Sequence, residues 1–224
     1  MSASEHDVAG DMSGGGVDPT ATNSGFGTTL QPDIFPICFF AGTLIGTAEG
    51  QRPVEALQPG DLVRTADGSL RPVRWIGRNA VSRRFADPLR VLPIRIGAGA
   101  LAEGVPSRDL LVSPSHAVLI DDLLVQANAL VNGATIVREH AVPMEFTYYH
   151  VELDTHSLLL AEDAPVESFL EDFADRPFVN WEERVAPPNV EQLDYPRVKS
   201  VRQLPRAIVE RLARQAARQG QAAA

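Results

Sequence analysis

Cys38-Phe39-Phe40-Ala41-Gly42-Thr43-Leu44-Ile45 is the stretch on which the reading of this chain turns. It holds the one cysteine among 224 residues, and it follows the tripeptide Phe35-Pro36-Ile37 and a leader rich in Gly, Ser and Asp. A thiol at the first residue of an ordered, β-patterned module can attack the peptide bond on its own N-terminal side and turn that amide into a thioester. The bond concerned is Ile37-Cys38. The competing reading is a small buried packing residue, which is what a lone cysteine commonly is. A Pro two residues upstream, Gly42-Thr43 downstream and a leader that ends at this point are the surroundings of a processing junction.

Upstream, residues 1–33 carry Glu5, Asp7, Asp11, Asp18 and Asp33, no Lys or Arg, and Phe26 as the single aromatic residue. Such a composition buries too little apolar surface to offset the entropy of ordering, so 1–35 is expected to be a flexible acidic leader. Downstream, apolar runs of four to eight residues recur, closed by Ala48-Glu49-Gly50, Gln58-Pro59-Gly60-Asp61, Asp67-Gly68 or Asn132-Gly133. Short runs with frequent turns predict strands and an all-β domain. A hairpin is expected across Asp67-Gly68, with Pro72 to Gly77 as its return strand. Further strands are expected at Leu89 to Ile96, Leu110 to Val112, Ala117 to Ile120, Leu123 to Gln126, Tyr148 to Leu153 and Ser157 to Ala161, with a single turn over Ala127 to Val131 and a short helix over Val166 to Phe173. Trp75 reads as a strand anchor in the core.

Beyond Arg176 the chain becomes Pro-rich through Pro187-Pro188 and Tyr195-Pro196, a linker. From Pro205 to Arg218, Ile208, Val209 and Leu212 share one side, with Arg206, Arg211, Arg214 and Arg218 around it, which predicts a basic amphipathic helix that docks on the acidic core.

The net charge of −9 argues against nucleic acid as a partner, since phosphate binding needs a basic surface. One cysteine allows neither an intramolecular disulfide nor a cysteine-built zinc site. No apolar run approaches a membrane span, and Met1 is followed by acidic and polar residues, so no classical signal peptide is recognised and a membrane partner is not expected. A cytoplasmic or non-classically secreted protein fits. Asp61 and Asp121-Asp122 sit at expected turns, where such side chains cap backbone groups, and their spacing does not suit a metal. Gly97-Ala98-Gly99-Ala100 lacks the Lys-Ser/Thr of a phosphate loop. Neither metal nor cofactor is expected.

For Cys38 to attack Ile37, its proton must leave and the departing nitrogen must gain one. His116 lies in Ser113-Pro114-Ser115-His116, a turn between two strands that exposes an imidazole at a strand end. Ser113 offers a hydroxyl that can hold the scissile carbonyl or fix the imidazole tautomer. His156, in Asp154-Thr155-His156-Ser157, can place or deprotonate the thiol. Singly, His116, His156, His150 and His140 each read equally as satisfied polar residues.

Taken in order, Cys38 to Thr43, Val54-Glu55-Ala56-Leu57-Gln58-Pro59-Gly60-Asp61-Leu62-Val63, Ser113 to His116 and Tyr149 to His156 resemble a Hint domain, the fold shared by inteins and the autoprocessing half of Hedgehog proteins. The likeness spans 36–172, with 173–224 as linker and helix, and is nearest a bacterial branch whose last block reads like Leu160 to Phe169. It implies a horseshoe of short, twisted strands with pseudo-twofold halves. It further implies that Cys38 carries out an N-to-S acyl shift on Ile37, that His116 protonates the scissile nitrogen, that Ser113 stands for the usual Thr, and that His156 is the late-block His near the nucleophile. Inteins end in His-Asn; Glu167-Ser168 stands here, so full splicing is expected to fail, and Glu167→Ala is expected to leave N-terminal cleavage largely intact. Water or an unnamed nucleophile resolves the thioester. A non-cleaving scaffold that binds a partner, and a Cys-His amidase acting in trans, are the alternatives. Oligomeric state stays open.

Overall fold

The computed structural model describes residues 37–168, 178–185 and 192–222. The leader expected over 1–35, the Pro187-Pro188 stretch and the second half of the helix expected over Val166 to Phe173 lie outside the described residues.

The domain is all-β. Its strands are β1 (Phe39–Phe40), β2 (Leu44–Thr47), β3 (Gly50–Pro53), β4 (Leu62–Arg64), β5 (Leu70–Ser82), β6 (Ile94–Ile96), β7 (Leu110–Val112), β8 (Ala117–Ile120), β9 (Leu123–Gln126), β10 (Ile136–Arg138), β11 (Glu145–Leu153), β12 (Leu158–Ala161), β13 (Ala164–Glu167) and β14 (Arg197–Val198). Among the described residues two α-helices join them, α1 (Pro88–Val91) and α2 (Arg206–Ala222). Hydrogen bonding runs in the order β10-β6-β7-β1-β11-β5-β4-β2-β12-β13-β8-β9-β14, with β3 beside β2.

Two strands exceed their expected length. β5 pairs first with β4, Leu62 opposite Pro72, and then with β11, from Val73 opposite Leu153 to Ser82 opposite Glu145. A strand that passes from one set of partners to another needs the length of both, so Pro72 to Gly77 is only its middle. A bulge between Glu152 and Leu153 lets β11 follow the bend, since a bulge raises local twist.

The strand expected over Leu89 to Ile96 is corrected. Asp87 caps a short helix by accepting the Leu89 N–H at 2.9 Å, with Pro88 at its first position, and only Ile94–Ile96 is extended. An Asp-Pro pair before an apolar residue is a helix-start signal that outweighs β-branched content. Val166 and Glu167 belong to β13 rather than to a helix, because Ala164 to Glu167 is the return arm of a hairpin with β12.

The main core gathers Ile45, Val63, Ile94, Leu110, Val118 and Val151 among others. Ile208 and Leu212 of α2 are buried in that same cluster, Arg211 pairs with Asp121 at 2.8 Å, and Gln219 donates to the Ala98 carbonyl. The basic helix therefore docks on the acidic domain by its apolar side. β14 adds to the edge of β9 in parallel, Arg197 opposite Leu124 and Val198 opposite Val125. Trp75 is buried in a separate cluster with Phe178, roofed by Trp181. No described helix is long and apolar enough to cross a membrane.

Candidate active site

β1 is two residues long and lies between β11 and β7, with Phe39 opposite Tyr149 on one side and Val112 on the other. Antiparallel register continues one step per residue, so Cys38, just before β1, falls opposite His150 on β11 and opposite Ser113 at the end of β7. The contacts follow that register. Cys38 Sγ is 2.8 Å from His150 Nε2. Ser113 Oγ accepts the Cys38 N–H at 3.0 Å, and the Cys38 carbonyl accepts the Ser113 N–H at 2.9 Å. The Cys38 backbone is thus held by Ser113 at both its nitrogen and its carbonyl.

His116 enters through the turn that follows β7, where its own N–H closes back on the Ser113 carbonyl at 3.0 Å. Its Nδ1 is 2.8 Å from the Cys38 carbonyl oxygen and its Nε2 is 2.8 Å from the Glu167 carbonyl oxygen. The ring is fully buried and packs edge-on against Phe39 at 4.5 Å. Burial lowers its pKa below the ordinary 6.5, outweighing the two carbonyls, which favour the charged ring. Tyr148 is buried beside Cys38 and donates its hydroxyl to the Val91 carbonyl at 2.9 Å; burial first, then the nearby sulfur, pushes its phenol well above 10.0, so it stays protonated.

His156 occupies a different contact. Its Nδ1 accepts the Leu193 N–H at 2.9 Å, and its Nε2 is 2.9 Å from Glu167 Oε1. A ring nitrogen that accepts carries no proton, so the proton is on Nε2, facing the carboxylate. The two terminal guanidinium nitrogens of Arg197, Nη1 and Nη2, also donate to the Glu167 carboxylate. Burial alone would raise the Glu167 pKa, but the hydrogen bonds from His156 and Arg197 hold it below its ordinary 4.5.

Of the four residues singled out in the sequence, Cys38, Ser113 and His116 meet at one point, and His156 is joined to them through Glu167. The imidazole at the thiol is that of His150, which sequence reasoning left as one ordinary histidine among several. The signal that finds it is strand alternation: Tyr148, His150 and Glu152 share the buried face of β11, and a buried imidazole on a strand calls for a partner. Glu167 and Arg197 were likewise not read as part of a site. No group of His, Cys, Asp or Glu able to hold a metal occurs among the described residues. Asp61 accepts the Gln58 N–H at 2.8 Å and pairs with Arg52, and Asp121 pairs with Arg211.

The Hint domain family model matches residues 37–172, more than half of the chain, and the chain belongs to the Hint domain family. At family level this fold goes with autoprocessing. A search of the curated proteins gives no match. Similar solved structures include the gp41-1 intein, 14% identical, with 60% of this chain and 100% of that chain covered and a TM-score of 0.44. A bacterial intein-like domain from Clostridium thermocellum is 16% identical, with 59% of this chain and 98% of that chain covered and a TM-score of 0.42.

Proposed function

We propose that this Hint domain cleaves its own Ile37-Cys38 bond through a thioester and does not splice. The thiol proton passes to His150 Nε2, the sulfur bonds to the Ile37 carbonyl carbon, and the C–N bond breaks as the Cys38 nitrogen gains a proton. His116 in its doubly protonated form supplies that proton, with Nδ1 moving from the Cys38 carbonyl to the adjoining nitrogen, and Ser113 holds the nitrogen in place meanwhile. The product is Ile37 esterified to Cys38 sulfur and a free amine on Cys38. Water or another nucleophile then takes the acyl group.

The observation that supports this most is the shared register that sets an imidazole 2.8 Å from the thiol and a hydroxyl 3.0 Å from the nitrogen of the same residue. Cys38 is 1% exposed as a residue, a burial that favours a reaction within the chain over one on a substrate in trans. Glu167 and Ser168, where an intein has His-Asn, are engaged elsewhere: Ser168 Oγ accepts the Ser157 N–H at 2.9 Å and Glu167 binds Arg197. Neither can cyclise as Asn does.

Purified protein incubated with dithiothreitol or hydroxylamine is expected to yield a fragment that starts at Cys38. A second reading, a non-cleaving scaffold of the same fold, draws on the packing of Cys38 with Val91, Leu92 and Tyr148. It requires the intact mass to persist and Cys38→Ala to change nothing measurable.

A further inference from the structure

Segments C-terminal to the family-matched region reach the centre of the site. Phe178 sets its ring 4.4 Å from that of His150, nearly perpendicular, and Arg197 in β14 reaches the buried Glu167 carboxylate. Glu167 matters for its backbone. Ser168 donates its N–H to the Ser157 carbonyl, so Glu167, one residue earlier in an antiparallel pair, directs its own carbonyl to the opposite side. There β8 begins, and His116 Nε2 stands 2.8 Å from that carbonyl oxygen.

The Glu167 side chain is held at both carboxylate oxygens by Arg197 and at one by His156, whose ring is in turn fixed by the Leu193 N–H. Arg197 and Leu193 both lie beyond residue 172, where the family match ends. Planar two-point recognition by a guanidinium fixes a carboxylate in direction as well as in place. A residue at a strand end pinned in that way has a fixed carbonyl direction, and with it the ring seated against that carbonyl is fixed.

We propose that Arg197 is a positioning residue for self-cleavage: acting through Glu167, the C-terminal extension sets the orientation of the His116 ring and, while that ring is neutral, keeps its proton on Nε2 against the Glu167 carbonyl, so that the proton gained at Nδ1 is the one delivered. The inference rests on the role given to His116 above. It replaces the expectation that Glu167→Ala leaves cleavage largely intact, because removing the carboxylate frees the carbonyl that seats His116. The extension thereby belongs to the processing machinery, and a domain that stops at residue 172 lacks a part of its site.

The test has two arms on the full-length chain. In a Cys38→Ala background, which holds the protein uncleaved, the His116 ring nitrogens are followed by 15N NMR. At pH 8, where the ring is neutral, one fixed tautomer is expected; Arg197→Ala should shift or average these resonances, and Arg197→Lys, with a single ammonium, should fall between. Arg211→Ala, which removes an ion pair of the same extension that does not include Glu167, should leave them unchanged. In the Cys38 chain, Arg197→Ala should slow thioester formation about tenfold to a hundredfold, the scale of a small misplacement of a reacting group, with partial recovery in Arg197→Lys. Unchanged His116 resonances in Arg197→Ala, or an equal effect from Arg211→Ala, overturn the proposal. If Arg197→Ala does not fold, Arg197→Lys decides by the same criterion. The NMR arm reads His116 whether or not the chain cleaves, so a failure of the cleavage reading and a failure of this one are distinct results.

Discussion

At the scale of single residues the site is two clamps on one amino acid, His150 on the sulfur and Ser113 with His116 on the backbone of Cys38. His150→Ala is expected to slow thioester formation by about 10²–10⁴, the usual loss when a positioned base is removed, measured as the rate of the hydroxylamine-released fragment. An unchanged rate would take His150 out of the chemistry. His116 also sets a pH dependence of stability. Burial holds its folded pKa below the unfolded 6.5, so between the two values the unfolded chain binds the extra proton. The stability is therefore complete above 6.5 and is lost as the pH falls through the depressed value, and Glu167, held below 4.5, adds a further loss in stronger acid. Thermal midpoints taken from pH 8 down to pH 5 should fall, and His116→Gln should flatten that slope; an equal slope in the variant would assign it to other groups. Cys38, Ser113 and His116 were legible because each sits in a short block with turn residues at fixed offsets. His150 was not, because its partner is set by the pairing of β1 with β11 across 112 positions of chain.

Among the elements, the hinge of the architecture is the β5 and β11 pair, which carries His150 on one strand and Trp75 and Gly77 on the other. Gly77 is there because of close approach: a Cβ at that position would stand 2.4 Å from the Trp75 ring and 2.9 Å from that of Phe178. Phe178 is also the ring against His150. Gly77→Ala is expected to destabilise by about 1–3 kcal/mol, as overpacking does, and to shift tryptophan fluorescence as Trp75 is displaced; a variant of native stability and spectrum would contradict the packing described. The sequence made most short strands readable, since Leu110 to Val112, Ala117 to Ile120 and Leu123 to Gln126 emerge with those bounds. It did not reveal α1, where a capping Asp87 overrides a β-like run, nor the length of β5, which depends on two partners distant in sequence. Local signals fix local turns; strand length is a property of the whole sheet.

For the molecule as a whole, the C-terminal extension is part of the core rather than an appendage. Ile208 and Leu212 are buried in the main cluster, so Leu212→Ala should cost about 2–5 kcal/mol, in the range of large-to-small core changes, read by chemical denaturation. A loss no larger than that of a surface substitution would mean that α2 is not docked in solution. The amphipathic pattern of α2 showed that it has a face to bury, while β14 and Arg197 gave no such sign, because a two-residue parallel strand has no periodicity to read. The central claim is that the Ile37 acyl group passes onto the Cys38 sulfur, and its most direct test is the chemical identity of what hydroxylamine releases. Mass spectrometry of the treated native chain should show an N-terminal segment ending in an Ile37 hydroxamate beside a fragment beginning with Cys38, and neither from Cys38→Ala. An intact chain under the same treatment, or the same fragments from Cys38→Ala, would contradict the account.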